Sequence, residues 1–158
     1  METDTTVRYM ERSREYYAAH GYDAPYEWAH FDQIPFAPLK KPLAECTITI
    51  VTTSMPAPVM NRKDRKLYIG DLNNPPNKLF TDGLAWDMDA THTDDLDSFF
   101  PAKELDRRRQ RGEIGNLSPH YYCVPTLYSH RRTMQRDAPA ILASCLEDEV
   151  DVALLVPL

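Results

Sequence analysis

Two stretches of this 158-residue chain are almost continuously apolar or β-branched: C-T-I-T-I-V-T-T over 46–53 and V-D-V-A-L-L-V-P-L over 150–158. The first predicts a strand. The second lacks alternation, which predicts a strand buried on both faces in the middle of a parallel sheet. Shorter strands are predicted at 67–69 and 121–124. Helical spacing governs three other regions. Over 3–20, Val7, Met10, Arg14 and Tyr17 recur at helical intervals, Thr3 or Asp4 can cap the start, and Gly21 ends the run. From Pro101 to Gly112, Ser98 or Asp97 is the expected cap and Leu105 the inward residue. Over 138–149, Asp137 is the expected cap, and Ile141, Leu142, Cys145 and Leu146 form an apolar stripe. The basic run from His130 starts an earlier helix that Pro139 ends or kinks.

Between these elements the pattern breaks. The segment 22–42 carries Tyr26, Trp28, His30, Phe31 and Phe36 without a period, and either wraps a partner or covers its own core. Residues 55–76 are loop apart from the short strand, and 114–119 are a turn. Strands alternating with helices and finishing β-α-β predict an α/β fold. It is an open, mostly parallel sheet with flanking helices and long loops rich in the chain's 13 prolines. One domain over 1–158 is expected, with a helix and aromatic arm over 1–42 and an α/β core over 43–158.

Composition narrows the partners. The chain is 42% hydrophobic and 27% charged, with a formal net charge of -6, which argues against nucleic acid or an anionic membrane as its main partner. Arg107, Arg108, Arg109 and Arg111 are the exception, read either as the solvated face of a helix or as an anion site. No apolar run reaches a membrane span, and the first 20 residues carry no signal-peptide core. Cys46, Cys123 and Cys145 show neither metal-type nor paired spacing, so reduced thiols and a cytoplasmic location are expected.

Candidate chemistry gathers in two places. Thr52, Thr53 and Ser54 fall at the carboxyl end of the first strand, where hydroxyls and backbone amides suit a carboxylate or phosphate of a small-molecule substrate. Equally, they satisfy turn hydrogen bonds. The aspartate-rich segment 82–97 surrounds His92. His92 with Asp94 is a candidate site for a divalent metal, and His92 with Asp94 or Asp95 a candidate proton-transfer site. The plain alternative is a set of solvated turns. His120 and Cys123 are three apart, which sets them on opposite faces of a strand and makes Cys123 a buried, inert thiol. With five glycines and no dinucleotide fingerprint, no nucleotide cofactor is expected; any other cofactor is unknown.

Several motifs then line up in order: Y-M-E-R at 9–12, P-F-A-P-L-K-K-P-L at 35–43, I-V-T-T at 50–53, the 95–101 run into its helix, G-E-I-G at 112–115 and D-V-A-L-L-V-P at 151–157. Together, over nearly the whole chain, they resemble the glycine/sarcosine/betaine reductase component B family, which includes the similar D-proline reductase subunit. The resemblance implies reductive cleavage, in which a selenolate or thiolate attacks the carbon bearing the amino group and the amine leaves. In selenoprotein members that nucleophile follows the strand matching 150–158. This chain has no residue there, and its three cysteines lie elsewhere. A short paralogue without the usual selenol or thiol is expected; the alternatives are a UGA codon read as stop and a deliberate truncation.

The expected function is therefore a reductase-like enzyme or enzyme subunit acting on a small amino-acid-like or amine substrate. Thr52, Thr53 and Ser54 would hold the carboxylate, His92 with Asp94 or Asp95 would serve as proton donor or metal site, and electrons would come from outside. The alternative is a non-catalytic binding or assembly subunit. A homo-oligomer or hetero-complex is expected either way, because the aromatic arm and the apolar last strand are surfaces that want covering.

Overall fold

Strand β1 (Thr47–Thr52) is the spine of the sheet, because it is paired along both edges. The computed structural model describes residues 8–22, 24, 30–35, 37–58, 65–84, 89–127 and 129–158. They fall into two units, Met1–Phe36 and Ala37–Leu158.

In the second unit the strands are β1, β2 (Tyr68–Asp71), β3 (Asn116–Leu117), β4 (His120–Cys123) and β5 (Val152–Val156). Ile48 pairs with both Leu117 and Val152, and Val51 with both Tyr122 and Leu155. Hence β3 and β4 share one edge of β1, and β5 takes the other. β2 closes the far side, antiparallel to β4, while the remaining pairings are parallel. This is the open, mostly parallel α/β sheet that the alternating pattern predicts.

β3 and β4 are one strand broken by a bulge. Thr47 stands opposite Asn116, but Val51 stands opposite Tyr122, so two extra residues are spent at Ser118–Pro119. The polar groups freed there are gathered internally. Thr49 Oγ donates to the His120 carbonyl at 2.6 Å, His120 N–H to Ser118 Oγ at 3.1 Å, and Ser118 Oγ to Asp148 at 3.2 Å. Asp148 also lies 2.7 Å from His120 Nδ1.

Helices cover the two faces. Ile48, Ile50, Tyr121, Cys123, Val152, Leu154 and Val156 point to one face, where Phe99, Phe100 and helix α2 (Ala102–Gln110) pack through Ala102 and Leu105. On the other face Tyr122 OH reaches Ser144 Oγ of α4 (Ala138–Glu147) at 2.9 Å. Moving one way across the sheet after β1 and the other way after β4, right-handed crossovers place their helices on opposite sides.

Four expectations need correction. β5 is not a central, doubly covered strand: among the described residues it pairs with β1 alone, and Leu155 on its outer face is 70% exposed. An uninterrupted apolar run specifies extended backbone but not the number of neighbours. The α4 stripe is covered only in part; Cys145 is buried, whereas Leu142 and Leu146 are exposed. Neither Ser98 nor Asp97 caps α2, whose first residue follows Pro101 without a side-chain cap, because Ser98 belongs to the separate short turn Leu96–Ser98. Asp137 does not cap α4 either. Helix α3 (His130–Arg132), capped by Ser129, runs on through a widened π-turn, Thr133–Asp137, into α4. Pro139 lacks an N–H and would clash with a carbonyl one turn back, which the wider turn accommodates.

Of the first unit, α1 (Tyr9–Ala19) ends at His20 with Gly21 at φ 77°, the left-handed position that favours glycine. It buries none of its residues. Thr3, Asp4 and Val7, with Tyr26, Trp28 and Phe36 of the arm, lie outside the described residues; Phe31 and Ile34 are exposed. Among the described residues no helix is long and apolar enough to cross a membrane.

Candidate functional site

The carboxyl ends of β1 and β4 lie side by side, joined where Val124 N–H donates to the Thr52 carbonyl at 2.8 Å. From β1 the chain goes on to β2 and then to α2 on one face; from β4 it goes to α3 and α4 on the other. Adjacent strands whose continuations diverge in this way leave a crevice at their carboxyl ends, the usual ligand position in open α/β sheets. The crevice is present. Thr53, Met55, Arg65, Phe80, Asp82 and Thr126 are among its lining residues, and the space between them is about 20 Å³, room for roughly one water-sized group.

Arg65 is the cation of this crevice, held by neutral groups. Its Nη1 donates to the Thr126 carbonyl at 3.1 Å and to the Gly83 carbonyl at 3.4 Å. Arg132 Nη2 in turn donates to the Arg65 carbonyl at 2.7 Å. A β-carbon on Gly83 would sit 3.3 Å from the guanidinium carbon, so glycine there lets the head group approach. Among the described residues no carboxylate pairs with Arg65, and its Nε is buried without a hydrogen-bond partner. The Thr126 hydroxyl is buried and unpartnered as well. Each such unpartnered group costs about 1–3 kcal/mol.

The residues singled out from the sequence fare unevenly. Thr52 and Ser54 are fully buried and spend their hydroxyls on each other at 3.0 Å, with Ser54 N–H donating to Thr52 Oγ at 3.3 Å. This is the turn-satisfying role. Thr53 alone of the three lines the crevice, and its Oγ accepts the Leu158 N–H at 2.9 Å. His92 and Asp94 are 73% and 94% exposed with 3.8 Å between Nδ1 and Oδ2, and His92 does not line the crevice. Asp94 borders a neighbouring groove with Thr81 and Thr93 that shares Phe80 and Asp82 with the crevice. Asp95 is occupied in capping the 96–98 turn through Asp97 N–H at 3.1 Å. Among the described residues no three His, Cys, Asp or Glu side chains come together as a metal set.

The chain matches no family model, no curated protein and no solved structure.

Cys46, Cys123 and Cys145 are free and buried. Burial pushes the Cys123 thiol up to about 12 and raises Cys145 too, which leaves both as unreactive thiols. The arginines of α2 are paired on its surface: Arg107 and Arg108 with Glu104, Arg109 with Asp106, and Arg111 with Glu113. The Arg107 and Arg109 hydrogen bonds hold the Glu104 and Asp106 carboxyls below their ordinary values. That is the solvated-face reading of the cluster. What the sequence pattern missed is Thr126 and Arg65. A Pro-Thr step just after a parallel strand was a usable pointer to Thr126, since that is where such sheets present ligand-binding groups. Nothing local marks Arg65.

Proposed function

We propose that this chain is a reductase-like enzyme subunit that holds a small amino-acid-like or amine substrate in the crevice between the ends of β1 and β4. The observation that supports it is the crevice itself, at the divergence of two parallel strands, carrying Arg65 with no described carboxylate partner beside Asp82. An acid and an amine group each find an oppositely charged residue in that lining. The likeness to the glycine/sarcosine/betaine reductase component B family supplies the reaction class, cleavage of the carbon–nitrogen bond. The chain's three cysteines are buried and unsuited to be the selenol or thiol that attacks the carbon and displaces the amine.

The test is substrate-dependent amine release by the protein purified with its native partners under reducing conditions, across glycine, sarcosine, betaine, proline and simple amines. Release that depends on this chain supports the reading. A preparation that binds none of these compounds refutes it. A second reading, a non-catalytic assembly subunit, is favoured by the outer edge of β5 and the exposed Leu142, Leu146 and Leu155. It predicts a stable oligomer by light scattering with the same compounds failing to bind.

A further inference from the structure

We infer that a second copy of this chain docks on the outer edge of β5 and the apolar trough beside it, with the two β5 strands antiparallel about a two-fold axis. The pairing does not depend on what the crevice holds, and it gives the exposed leucines named above a cover. Among the described residues β5 pairs with β1 alone, so its outer edge offers main-chain donors and acceptors to another strand. Val152, Leu154 and Val156 pack against the core on the α2 face, while Ala153 and Leu155 point to the α4 face. There Ala153 and Leu155 line a trough with Val51, Ile141, Leu142 and Cys145. The trough is about 470 Å³, room for side chains of a second molecule rather than for water alone.

This face is complementary to itself, which is the reason to seat a copy there. An antiparallel pair centred on Leu154 sets Ala153 of one copy opposite Leu155 of the other, small against large, and Val152 opposite Val156. An axis normal to the sheet keeps α4 of both copies on one side of it, running antiparallel. With about 3.3 Å of rise per strand residue and about 1.5 Å per helix residue, Leu154 lies level with the middle of α4, near Leu142. The two Leu142 side chains then meet across the axis, and the exposed Leu146 of each copy falls near the exposed Ala138 of the other. The charges agree with this direction. Arg132 and Asp148 are spent within the chain, on Asp137 and His120. Arg136 and Glu147 are exposed and make no ion pair among the described residues. They lie about equally far from Leu142 on either side, so an antiparallel copy brings Arg136 of each helix to Glu147 of the other. A partner without this order of charges would leave both unpaired.

Sedimentation velocity and amide hydrogen exchange on the full chain test this. A dimer is expected, with the outward-facing β5 amides protected. Leu155→Lys should weaken the dimer about a hundredfold, because a two-fold interface loses two leucines at once, and should release those amides. Its far-ultraviolet spectrum should match the parent's, since Leu155 is exposed in the single chain. Arg136→Glu and Glu147→Lys should each weaken the dimer about fivefold. The two together should restore it, a recovery that a purely local role of either residue would not give. A chain that stays monomeric at high micromolar concentration overturns the pairing. A dimer indifferent to Leu155→Lys overturns it too, while the assembly reading survives through another surface. If the outward β5 amides are protected in a monomer, another part of the chain covers the edge and no copy binds there. If the double charge reversal stays as weak as the single ones, the antiparallel arrangement is wrong.

Discussion

Replacing Gly115 with alanine offers a sharp test of how β3 is seated against β1. Gly115 lies just before β3, and its N–H donates to the Leu43 carbonyl at 3.2 Å. A β-carbon built there would stand 2.6 Å from the Glu45 carbonyl carbon and 2.9 Å from both the Cys46 nitrogen and oxygen. To reach an ordinary 3.4 Å contact, the methyl group would have to move away from Glu45 by about 0.8 Å. The obstructing atoms are backbone at the entry to the central strand, so no side-chain rotation relieves them. Overpacking of this kind costs about 1–3 kcal/mol. With a urea slope of roughly 1–3 kcal/mol per molar, the unfolding midpoint should fall by on the order of 1 M. Gly112 provides the contrast. It sits at φ 72° with nothing within 4 Å of a built β-carbon, so its requirement is conformational rather than steric. Gly112→Asn should recover much of the loss caused by Gly112→Ala, because asparagine tolerates the left-handed region. Gly115→Asn should recover nothing relative to Gly115→Ala. The packing of β3 described above would be refuted by a Gly115→Ala protein whose stability lies within about 0.5 kcal/mol of the parent, the range of an indifferent surface change.

Further outcomes follow from the charges and thiols. Asp151 accepts hydrogen bonds from Lys41 Nζ and Thr47 N–H, both at 2.8 Å, and these, Lys41 foremost, hold its carboxyl below the ordinary value. Its contribution is therefore full above the unfolded carboxylate pKa and is lost as pH falls through the lower folded value. The same hydrogen bond raises Lys41, whose share is full below the unfolded lysine pKa and is lost only as pH rises through the folded one. Urea midpoints measured from about pH 7 down to about pH 3 should show a shallower acid limb for Asp151→Asn than for the parent; parallel limbs would remove Asp151 from the acid transition. The three cysteines, all free and buried, should stay unlabelled by a thiol reagent in the native protein at neutral pH and react together in urea. Rapid native labelling of Cys123 would contradict its seat in β4.

Much of the fold could be read from residue order, and the reasons are local. The β-branched run around Ile48 and Ile50 could hardly form anything but a buried strand. Leu105 faced inward as its spacing required, and Gly21 and Gly112 ended their helices where left-handed backbone was needed. The site was less legible. Thr53 lines the crevice, whereas Thr52 and Ser54 beside it turn inward, a difference that strand alternation and a tight turn create between neighbours of the same chemistry. The aspartates around His92 drew notice by composition, yet Asp95 is engaged in a turn and His92 faces solvent.

By itself, then, the sequence determined most of the elements and the α/β alternation, because periodicity and backbone preference act over a few residues; β3 (Asn116–Leu117) lies in a stretch that reads as a turn. Only the tertiary structure decided that β5 lies at an edge, that Ser118–Pro119 bulge, and that Arg65 meets a carbonyl 18 residues away and another 61 residues away. Contacts of that span arise when separate apolar faces are buried together. Arg65 then finds itself among neighbours that nothing in its own stretch of chain anticipates.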